Sequence, residues 1–256
     1  MRPNVKTWDD SQNEIRVVMK FAIIAAGDGS RIAAEGLACP KPLVTVGGEC
    51  LVDRLVRIFC DHGAEDVSVI CNDKVDEVAQ HLQKMRQRGL PVQFMVENTP
   101  SSMHSLYRLH GLIGDGKFCL TTVDTVFSEK EFTCYVDMFA NLSEGGNCDA
   151  LMGVTDFIDD EKPLYVDVDE HMNIKGFRDE GANCKYVSAG IYGLTPAVWP
   201  VLEECVLHGE QRMRNFQRAL LRKGLRLKAF AFSKVIDVDH VADVALANRF
   251  ILCHDA

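Results

Sequence analysis

The first half of the chain alternates short apolar runs with longer segments in which apolar residues recur at helical spacing. A short continuous apolar run is typical of a buried strand, and apolar residues three and four positions apart are typical of a helix with one buried face. Strands are predicted at 21–26, 66–71, 92–97 and 117–124, and helices at 51–63, 75–89 and 103–113. This alternation indicates a parallel sheet with helices on both faces. Ligands of such sheets bind beyond the carboxyl ends of the strands.

The second half of the chain has a more mixed pattern. Strands are predicted at 149–155, 185–195 and 226–232, and two alternating runs around a polar turn predict a hairpin over 164–177. A helix is predicted near Pro196, a second helix ends in LLRKG, and a closing helix spans 240–252. Because no repeat or linker interrupts this order, residues 19–256 are predicted to form one α/β domain. We expect a Rossmann-like, mostly parallel mixed sheet with helices on both faces.

Residues 1–18 are polar and show little periodicity, so we interpret them as a loosely held extension of this domain. They lack the apolar stretch of a signal peptide, and no apolar run of the chain approaches the ~20 residues that cross a bilayer. The ten cysteines contain no CxxC pair, which favours free thiols in a reducing cytosol over a zinc site. We therefore expect a cytoplasmic protein without a membrane partner.

The charge balance limits the kind of ligand. A formal net charge of -9 argues against a general nucleic-acid binder. It leaves room for a nucleotide site, because a few local cations can hold phosphates on an acidic protein. The charge does not distinguish a monomer from a homo-oligomer, and both are left open.

A glycine loop follows the first predicted strand directly, with the sequence GDGSR from Gly27 to Arg31. Successive N–H groups in such a loop can cradle phosphate oxygens, and the guanidinium of Arg31 suits phosphate as well. Lys41 lies between two prolines, which stiffen the backbone of its approach. A dinucleotide fingerprint requires a third glycine where Ile32 stands, and no Walker sequence occurs. By itself a glycine loop remains a weak indication of a nucleotide site.

The combination of AAGDGSR with PKPL is far more specific. It resembles the signature of the nucleoside-triphosphate transferase superfamily, which includes sugar-1-phosphate nucleotidyltransferases, the molybdenum-cofactor nucleotidyltransferase type and phosphocholine cytidylyltransferases. The resemblance extends over most of the chain from Met19 on. It implies the nucleotide-diphospho-sugar transferase type of fold, with an NTP and a phosphorylated small molecule as partners. The residues that would hold the triphosphate are Ala25, Ala26, Gly27, Asp28, Gly29, Ser30, Arg31 and Lys41, of which Arg31 and Lys41 are the candidate catalytic cations.

Two aspartates at strand ends are candidate metal ligands. Asp124 ends the fourth predicted strand, and Asp237 follows the late strand in KVIDVDHVAD. The resemblance implies that both bind Mg²⁺, an ion that favours a few carboxylates together with substrate phosphates. Asp124 could instead be an ordinary turn residue. Asp239 or Asp243 could cap the last helix, and His240 stands where the family usually has threonine.

Two other acidic stretches receive a plainer interpretation. The run at 159–161 is interpreted as a solvated loop. Asp167, Asp169 and His171 have metal-like spacing, but they lie in the predicted hairpin and lack the glycine and glutamate of a calcium-binding loop. Neither stretch is predicted to hold a metal.

The segment from Glu97 to Leu106 matches the loop that contacts the base in sugar pyrophosphorylases, with Ser102 about where a glycine is usual. Glu97 and Ser102 are therefore candidate nucleotide-binding residues. The sequence SSMHSL is closer to phosphocholine-type cytidylyltransferases and slightly favours a pyrimidine. Alternatively, Ser101 or Ser102 simply caps the helix that follows.

Three acceptor-binding candidates rest on the same resemblance. Gly190 lies in SAGIY, which resembles a strand that lines the sugar side, and Asp179 falls near a position that meets sugar hydroxyls. Lys234 precedes Asp237 and could reach the acceptor phosphate.

The resemblance predicts a magnesium-dependent nucleotidyltransferase that moves the NMP moiety of an NTP to a phosphorylated acceptor and releases pyrophosphate. A sugar 1-phosphate is the first choice of acceptor. One alternative is a cytidylyltransferase for an amino-alcohol or polyol phosphate such as phosphocholine. Another is a nucleotide sensor or regulatory protein that lacks catalysis, which loss of the cations or aspartates would favour; all are present.

Overall fold

The computed structural model describes residues 19–74, 76–158, 162–181 and 184–254. The expectations for residues 1–18 and for the acidic run at 159–161 lie outside the described residues. The strands are β1 (Lys20–Ala25), β2 (Thr45–Val46), β3 (Glu49–Cys50), β4 (Val67–Cys71), β5 (Val92–Val96), β6 (Phe118–Thr122), β7 (Thr125–Phe127), β8 (Ala150–Thr155), β9 (Tyr165–Val168), β10 (Ile174–Arg178), β11 (Tyr186–Leu194), β12 (Leu227–Phe232) and β13 (Val235–Asp237). The helices are α1 (Ser30–Ala34), α2 (Leu51–Asp61), α3 (Asp76–Gln87), α4 (Ser102–Ile113), α5 (Glu129–Glu144), α6 (Trp199–Leu207), α7 (Met213–Arg222) and α8 (Val241–His254), with short 3₁₀ turns at Lys41–Leu43 and Pro196–Val198.

Within the described residues, nine strands form one mixed sheet, whose main path runs β10-β9-β11-β6-β1-β4-β5. Strands β6, β1, β4 and β5 are parallel. β11 pairs antiparallel with β6, β8 and β9, and β12 extends the sheet beyond β8. The predicted mixed, mostly parallel sheet is confirmed, and so is the hairpin, which β9 and β10 form.

Strand order reverses beside β1, which pairs with β4 on one side and β6 on the other. Chain order moves from β1 outward through β4 to β5, then returns to β6 at the opposite side. At such a reversal the loops that leave the two neighbouring strands diverge to opposite faces and leave a crevice between them. The crevice here lies between the glycine loop after β1 and the turn that contains Asp124.

Two apolar cores cover the two faces of the sheet. Side chains of α2, α3, α5 and α8 pack on one face, around Phe21, Phe59 and Phe132. Side chains of α4, α6 and α7 pack on the other, around Phe118 and Trp199. The central strand β1 is buried throughout except at Lys20, as expected for a strand covered by helices on both sides.

Several elements were absent from the sequence prediction. The largest is α5, although Ser128 caps it by accepting a hydrogen bond from the N–H of Glu131, and its buried residues follow a helical period. The strands β7 and β13 are three residues each and pair with one another, too short for a periodic signal. The fourth strand also ends earlier than predicted, at Thr122, so Asp124 lies in the turn between β6 and β7.

Candidate functional site

A cavity of about 270 Å³ occupies the crevice at the strand reversal, and we call it the loop cavity. Four segments form it: the end of β1 with the glycine loop, the 3₁₀ turn with Lys41, the start of α4 with the residues before it, and the turn after β6. Its lining includes the predicted residues Ala25, Ala26, Gly27, Asp28, Lys41, Ser102 and Asp124. The structure thus brings together at one cavity four segments that are separate in the sequence.

A second cavity of about 320 Å³ lies beside the N-terminal half of β11, and we call it the β11 cavity. Its charged lining residues are Arg31, Asp237, Asp239, His240 and Asp243. Its remaining wall is largely apolar, with Phe157, Pro163, Val187, Ala189, Val235 and Ala242 beside Thr155 and Ser188. Arg31, predicted to face a triphosphate, therefore lies at the β11 cavity, whereas Lys41 lies at the loop cavity.

The glycine loop brings Lys41 close to its backbone. Gly29 has φ of 58° and lies at the N-terminal end of α1, a left-handed conformation that glycine adopts at little cost. A Cβ atom added to Gly29 would lie 3.2 Å from the Cβ of Lys41. The absence of a side chain at Gly29 thus lets the lysine segment pack directly against the loop.

An ion-pair cluster separates the two cavities. The Nζ atom of Lys41 lies 2.7 Å from Oδ2 of Asp124 and 2.5 Å from Oδ1 of Asp239. The other oxygen of Asp239 lies 2.7 Å from Nη1 of Arg31. The sequence left open that Asp239 caps the last helix. Its carboxylate instead bridges the two candidate cations, Arg31 and Lys41.

Burial and charge oppose each other at Lys41. Burial alone would lower the pKa of its ammonium, but Asp124 and Asp239 outweigh burial and raise the pKa above its ordinary value. Burial alone would raise the pKa of Asp124, but the charge and hydrogen bond of Lys41 lower it. Both groups are therefore charged at neutral pH, as a close ion pair requires.

Asp237 is held next to Asp124 by the pairing of β13 with β7. Asp237 is opposite Thr125 in this ladder, and the N–H of Val238 donates to the carbonyl oxygen of Asp124 at 3.0 Å. The Thr125 hydroxyl lies 3.4 Å from Oδ1 of Asp237. Two short strands, both missed in the sequence, thus bring the two predicted metal ligands together.

The donor set around this pair fits Mg²⁺. Within the described ranges, no group of three or more His, Cys, Asp or Glu side chains is arranged to hold a metal. Two hard carboxylate oxygens from Asp124 and Asp237 fit an ion that takes its remaining ligands from water and substrate phosphates. A cation already lies against Asp124, because the ammonium of Lys41 is 2.7 Å away. Coordination of a metal by Asp124 would therefore require this ammonium to move away from the carboxylate.

The start of α8 is tied to the end of α1. One oxygen of Glu35 lies 2.5 Å from Nδ1 of His240, and the other accepts the N–H of Val241 at 2.7 Å. Asp243 accepts the N–H groups of Asp239 and His240, so Asp243 caps α8. The hydrogen bond that His240 donates to Glu35 raises the pKa of His240, and the same contact lowers the pKa of Glu35.

The segment predicted to contact the base lies beside the loop cavity. Ser102 is part of the cavity lining, and Ser101 is the N-cap residue of α4, although its hydroxyl contacts Nδ1 of His104 instead of a helix N–H. Glu97 is absent from the cavity lining within the described chain, and it forms a 2.7 Å ion pair with Arg108. Base contact by Glu97 and Ser102 stays a prediction.

The three acceptor candidates lie in different surroundings. Gly190 has φ of 71°, and a Cβ there would lie 3.1 Å from the Thr125 hydroxyl, so this glycine packs on the turn that holds Asp124. The ammonium of Lys234 lies 3.9 Å from the ring centroid of Phe157, which lines the β11 cavity. Asp179 pairs with Arg214 and Arg218 of α7 at a neighbouring surface. Their roles stay predictions, and Asp179 has no contact that favours one.

Sequence reasoning missed the contacts of Asp239 with Arg31 and of Glu35 with His240, and also those of Asn72, whose amide donates to the carbonyl oxygens of Ala26 and Gly27. Asp239 and Glu35 act through partners about two hundred positions away, so no local pattern could reveal them. Asn72 follows β4 at the same sheet edge as the glycine loop, and its position after a strand was the available signal.

Comparison with known proteins agrees with this fold. A family model described as MobA-like NTP transferase domain matches residues 21–223. The bifunctional IPC transferase and DIPP synthase of Archaeoglobus fulgidus is 24% identical over 244 residues, covering 92% of this chain and 44% of the relative. Glucose-1-phosphate cytidylyltransferase of Salmonella typhimurium is 34% identical over 56 residues, 22% of each chain. The chain thus spans less than half the length of these relatives.

Solved structures share the fold along nearly the whole chain. The inositol-1-phosphate CTP transferase from T. maritima superposes with a TM-score of 0.73 at 18% identity, covering 92% of this chain and 97% of the other. A putative glucose-1-phosphate thymidylyltransferase from Bacillus anthracis gives a TM-score of 0.79 at 20% identity, covering 93% and 96%. The family match extends over most of the described sheet and over the loop cavity, and the chain belongs to the MobA-like NTP transferase domain family.

Proposed function

We propose that this protein transfers the NMP moiety of an NTP to a phosphorylated small molecule and releases pyrophosphate. One observation carries the proposal: two cavities of substrate size meet at the cluster of Lys41, Asp124 and Asp239. The loop cavity has the glycine loop of a phosphate site. The β11 cavity provides separate room for an acceptor. A transfer between two substrates requires both.

The proposed step is an in-line attack on the α-phosphorus. An oxygen of the acceptor phosphate forms the new P–O bond, and the bond from the α-phosphorus to the bridging oxygen of the β-phosphate breaks. Because the attacking oxygen is already anionic, no general base is required. The side chains act by position and charge: Lys41 at the loop cavity offsets charge on the leaving pyrophosphate, and Arg31 at the β11 cavity orients the acceptor phosphate.

Mg²⁺ is part of the proposal. Asp124 and Asp237 would hold the ion, and when bound it supplies charge neutralisation for the phosphate oxygens. Lys41 would exchange its contact with Asp124 for a phosphate and keep its contact with Asp239. This exchange is supported by the position of Lys41, whose ammonium contacts the carboxylates of Asp124 and Asp239.

The two candidate functions differ in the acceptor that receives the NMP moiety. A sugar 1-phosphate, the first choice from sequence, needs several hydrogen-bond partners for its hydroxyls. Two hydroxyls of the β11 cavity already have partners: the Thr155 oxygen accepts the N–H of Phe157, and the Ser188 oxygen accepts from Gln217. The apolar part of this wall favours the amino-alcohol form of the second candidate, a cytidylyltransferase for an amino-alcohol or polyol phosphate, because a polyol needs as many partners as a sugar. A relative named 2-aminoethylphosphonate cytidylyltransferase is 27% identical over 112 residues.

A pyrophosphate-release screen tests the function and separates the candidates. The four common NTPs would be combined with glucose 1-phosphate, inositol 1-phosphate, phosphocholine and 2-aminoethylphosphonate, with Mg²⁺ or with EDTA. We expect release with one NTP and one acceptor class, and only with Mg²⁺. Asp124→Asn is the matched inactive control. NTP binding without pyrophosphate release from any pair would replace the transferase by a nucleotide sensor.

Two broader expectations stay open. No helix in the described part of the chain has the length and apolar character needed to span a bilayer. A cytoplasmic location stays a prediction that fractionation would check. Assembly as a monomer or homo-oligomer stays open too, and light scattering after size-exclusion chromatography would decide it.

A further inference from the structure

The glycine loop is tied to the segment after β4 by the side-chain amide of Asn72 and by the ion pair of Lys74 with Asp28. Ala25 is paired with Cys71 in the parallel ladder, so Asn72 lies beside Ala26 just beyond the end of the ladder. The Nδ2 group of Asn72 donates to the carbonyl oxygens of Ala26 at 3.3 Å and Gly27 at 3.1 Å. The half-buried side chain thus continues the hydrogen bonding of the sheet into the loop.

The orientation of this amide is fixed by its partners. The N–H of Lys74 donates to Oδ1 of Asn72 at 3.2 Å. A backbone N–H can only donate and a carbonyl oxygen can only accept, so the amide oxygen must face Lys74 and the NH₂ group must face the loop. An aspartate or leucine at this position could not make both loop contacts.

The geometry of the trans peptide links the carbonyl contacts of Asn72 to the direction of the N–H groups of the loop. In a trans peptide the C=O of one residue and the N–H of the next point in opposite directions. Asn72 draws the carbonyls of Ala26 and Gly27 toward β4. The N–H groups of Gly27 and Asp28 therefore point to the other side, toward the β6 side of β1, where Val123 and Asp124 line the loop cavity.

Those two N–H groups are available for a ligand. Within the described residues, neither the N–H of Gly27 nor that of Asp28 donates to another part of the chain. Gly27 and Asp28 line the loop cavity. Two parallel donors at a cavity wall suit the oxygens of a phosphate group.

We propose that Asn72 is a positioning residue that orients the N–H groups of Gly27 and Asp28 toward the phosphates of the NTP. The inference rests on the proposed function, since it requires a triphosphate in the loop cavity. Asn72 acts only through the loop backbone and touches neither the base nor the acceptor. Its loss should weaken binding of phosphates in general, irrespective of the base.

The test is calorimetric binding of inorganic tripolyphosphate and of each NTP, in the presence of Mg²⁺. Asn72→Leu has a similar shape without donors, Asn72→Asp adds repulsion against the two carbonyls, and Asn72→Gln retains the amide. We expect the Kd of tripolyphosphate to rise about tenfold in Asn72→Leu and further in Asn72→Asp, with partial recovery in Asn72→Gln. The Kd of the NTP should rise by the same factor. In turnover assays the KM for NTP should rise while the KM for the acceptor stays unchanged.

Asn173→Asp is the matched control. The Asn173 amide donates to the carboxylate of Asp169 in the β9–β10 turn, so this variant also loses an amide donor but lies away from the loop cavity. It should lower the melting temperature without changing the Kd of tripolyphosphate.

Three outcomes would count against the inference in distinguishable ways. If the wild-type protein binds NTP and Asn72→Leu binds it equally well, the role of Asn72 is overturned and the proposed function stands. If Asn72→Leu weakens NTP but not tripolyphosphate, the residue acts on the base and the inference fails. If the wild-type protein binds neither ligand, the proposed function fails and the inference fails with it.

Discussion

Lys41 and Asp239 lie 2.5 Å apart although 198 positions separate them in the sequence. Asp239 also holds Arg31, so one carboxylate positions both candidate cations at the boundary of the two cavities. In this structure, protein carboxylates pair with these cations in the places that phosphate oxygens would take. Under the proposed function, substrate binding would exchange partners within this existing charge cluster, and the side chains would need little reorganisation.

The first prediction concerns Lys41. The variant Lys41→Met should lower turnover about 100-fold or more, because a charge that stabilises the leaving group is lost. It should also destabilise the fold by about 3 kcal/mol, since Asp124 is left facing Asp239 without its cation, while Asp239 keeps its ion pair with Arg31. Steady-state kinetics and urea unfolding measure the two effects. The double variant Lys41→Met/Asp239→Asn should recover stability but not turnover; recovery of turnover would remove Lys41 from the mechanism.

The second prediction concerns the close approach at Gly29. Gly29→Ala should cost about 1–2 kcal/mol, because a residue with a Cβ is strained at φ of 58°. It should also reduce NTP affinity, because the new Cβ presses on Lys41 at 3.2 Å. Gly146→Ala is the control, with φ of 61° and no atom within 4 Å of the added Cβ. Equal NTP affinities in the two variants would show that the contact with Lys41 is unimportant.

The third prediction concerns the metal. Mg²⁺ together with a non-hydrolysable NTP analogue should raise the melting temperature of the wild-type protein, because a ligand that binds the folded state stabilises it. The rise should largely disappear in Asp124→Asn and in Asp237→Asn. Asp149→Asn is the control, because Asp149 pairs with Arg226 at the start of β8 and lines neither cavity. A full rise in both ligand variants would argue against magnesium at this position.

The fourth prediction concerns the pH dependence of the contact between Glu35 and His240. The hydrogen bond that His240 donates to Glu35 raises the pKa of His240 above 6.5, so the stabilisation is fully present below pH 6.5 and is lost as the pH rises through the raised pKa. Glu35 has a lowered pKa, so its part is present above pH 4.5 and is lost as the pH falls through the lowered pKa. Arg31 and Asp243 also face His240, with opposite effects.

The measurement is the difference in melting temperature between the wild-type protein and Glu35→Gln. We expect a larger difference at pH 6 than at pH 9. The variant His240→Asn should abolish this pH dependence while it keeps the contact between Glu35 and the N–H of Val241. A difference that is the same at both pH values would show that the charge of His240 contributes nothing.

The sequence predicted the sheet well because its strands are buried on both faces. β1 and β4 are covered by helices on both faces of the sheet, so their sequences are continuous apolar runs. Such a run can be recognised from the local sequence alone. The missed helix α5 had a readable signal in Ser128 and in its buried aromatic residues. The short strands β7 and β13 had none, since each is stable only through the other.

The site was predictable in part. The glycine loop, Lys41 and Asp124 carry local signatures, and the structure brings them to one cavity. The orientation of Arg31 toward the other cavity depends on Asp239, a partner that only the tertiary fold supplies. The same holds for Asn72, whose role depends on the register between β1 and β4. Local motifs thus predicted several residues that line the loop cavity. The cavity that each side chain faces depends on contacts between residues distant in the sequence.

Substitutions on either side of the register shift in β11 would have different effects. The register of β11 shifts between Ser188 and Tyr192, and within that stretch Gly190 packs on Thr122 and Thr125. Ser188 and Ala189 face the β11 cavity, so substitutions there would reshape its wall and leave the aspartate turn in place. A side chain at Gly190 would move that turn itself. Under the proposed function, neighbouring positions on one strand would therefore allow the choice of acceptor to change while the phosphate chemistry is retained.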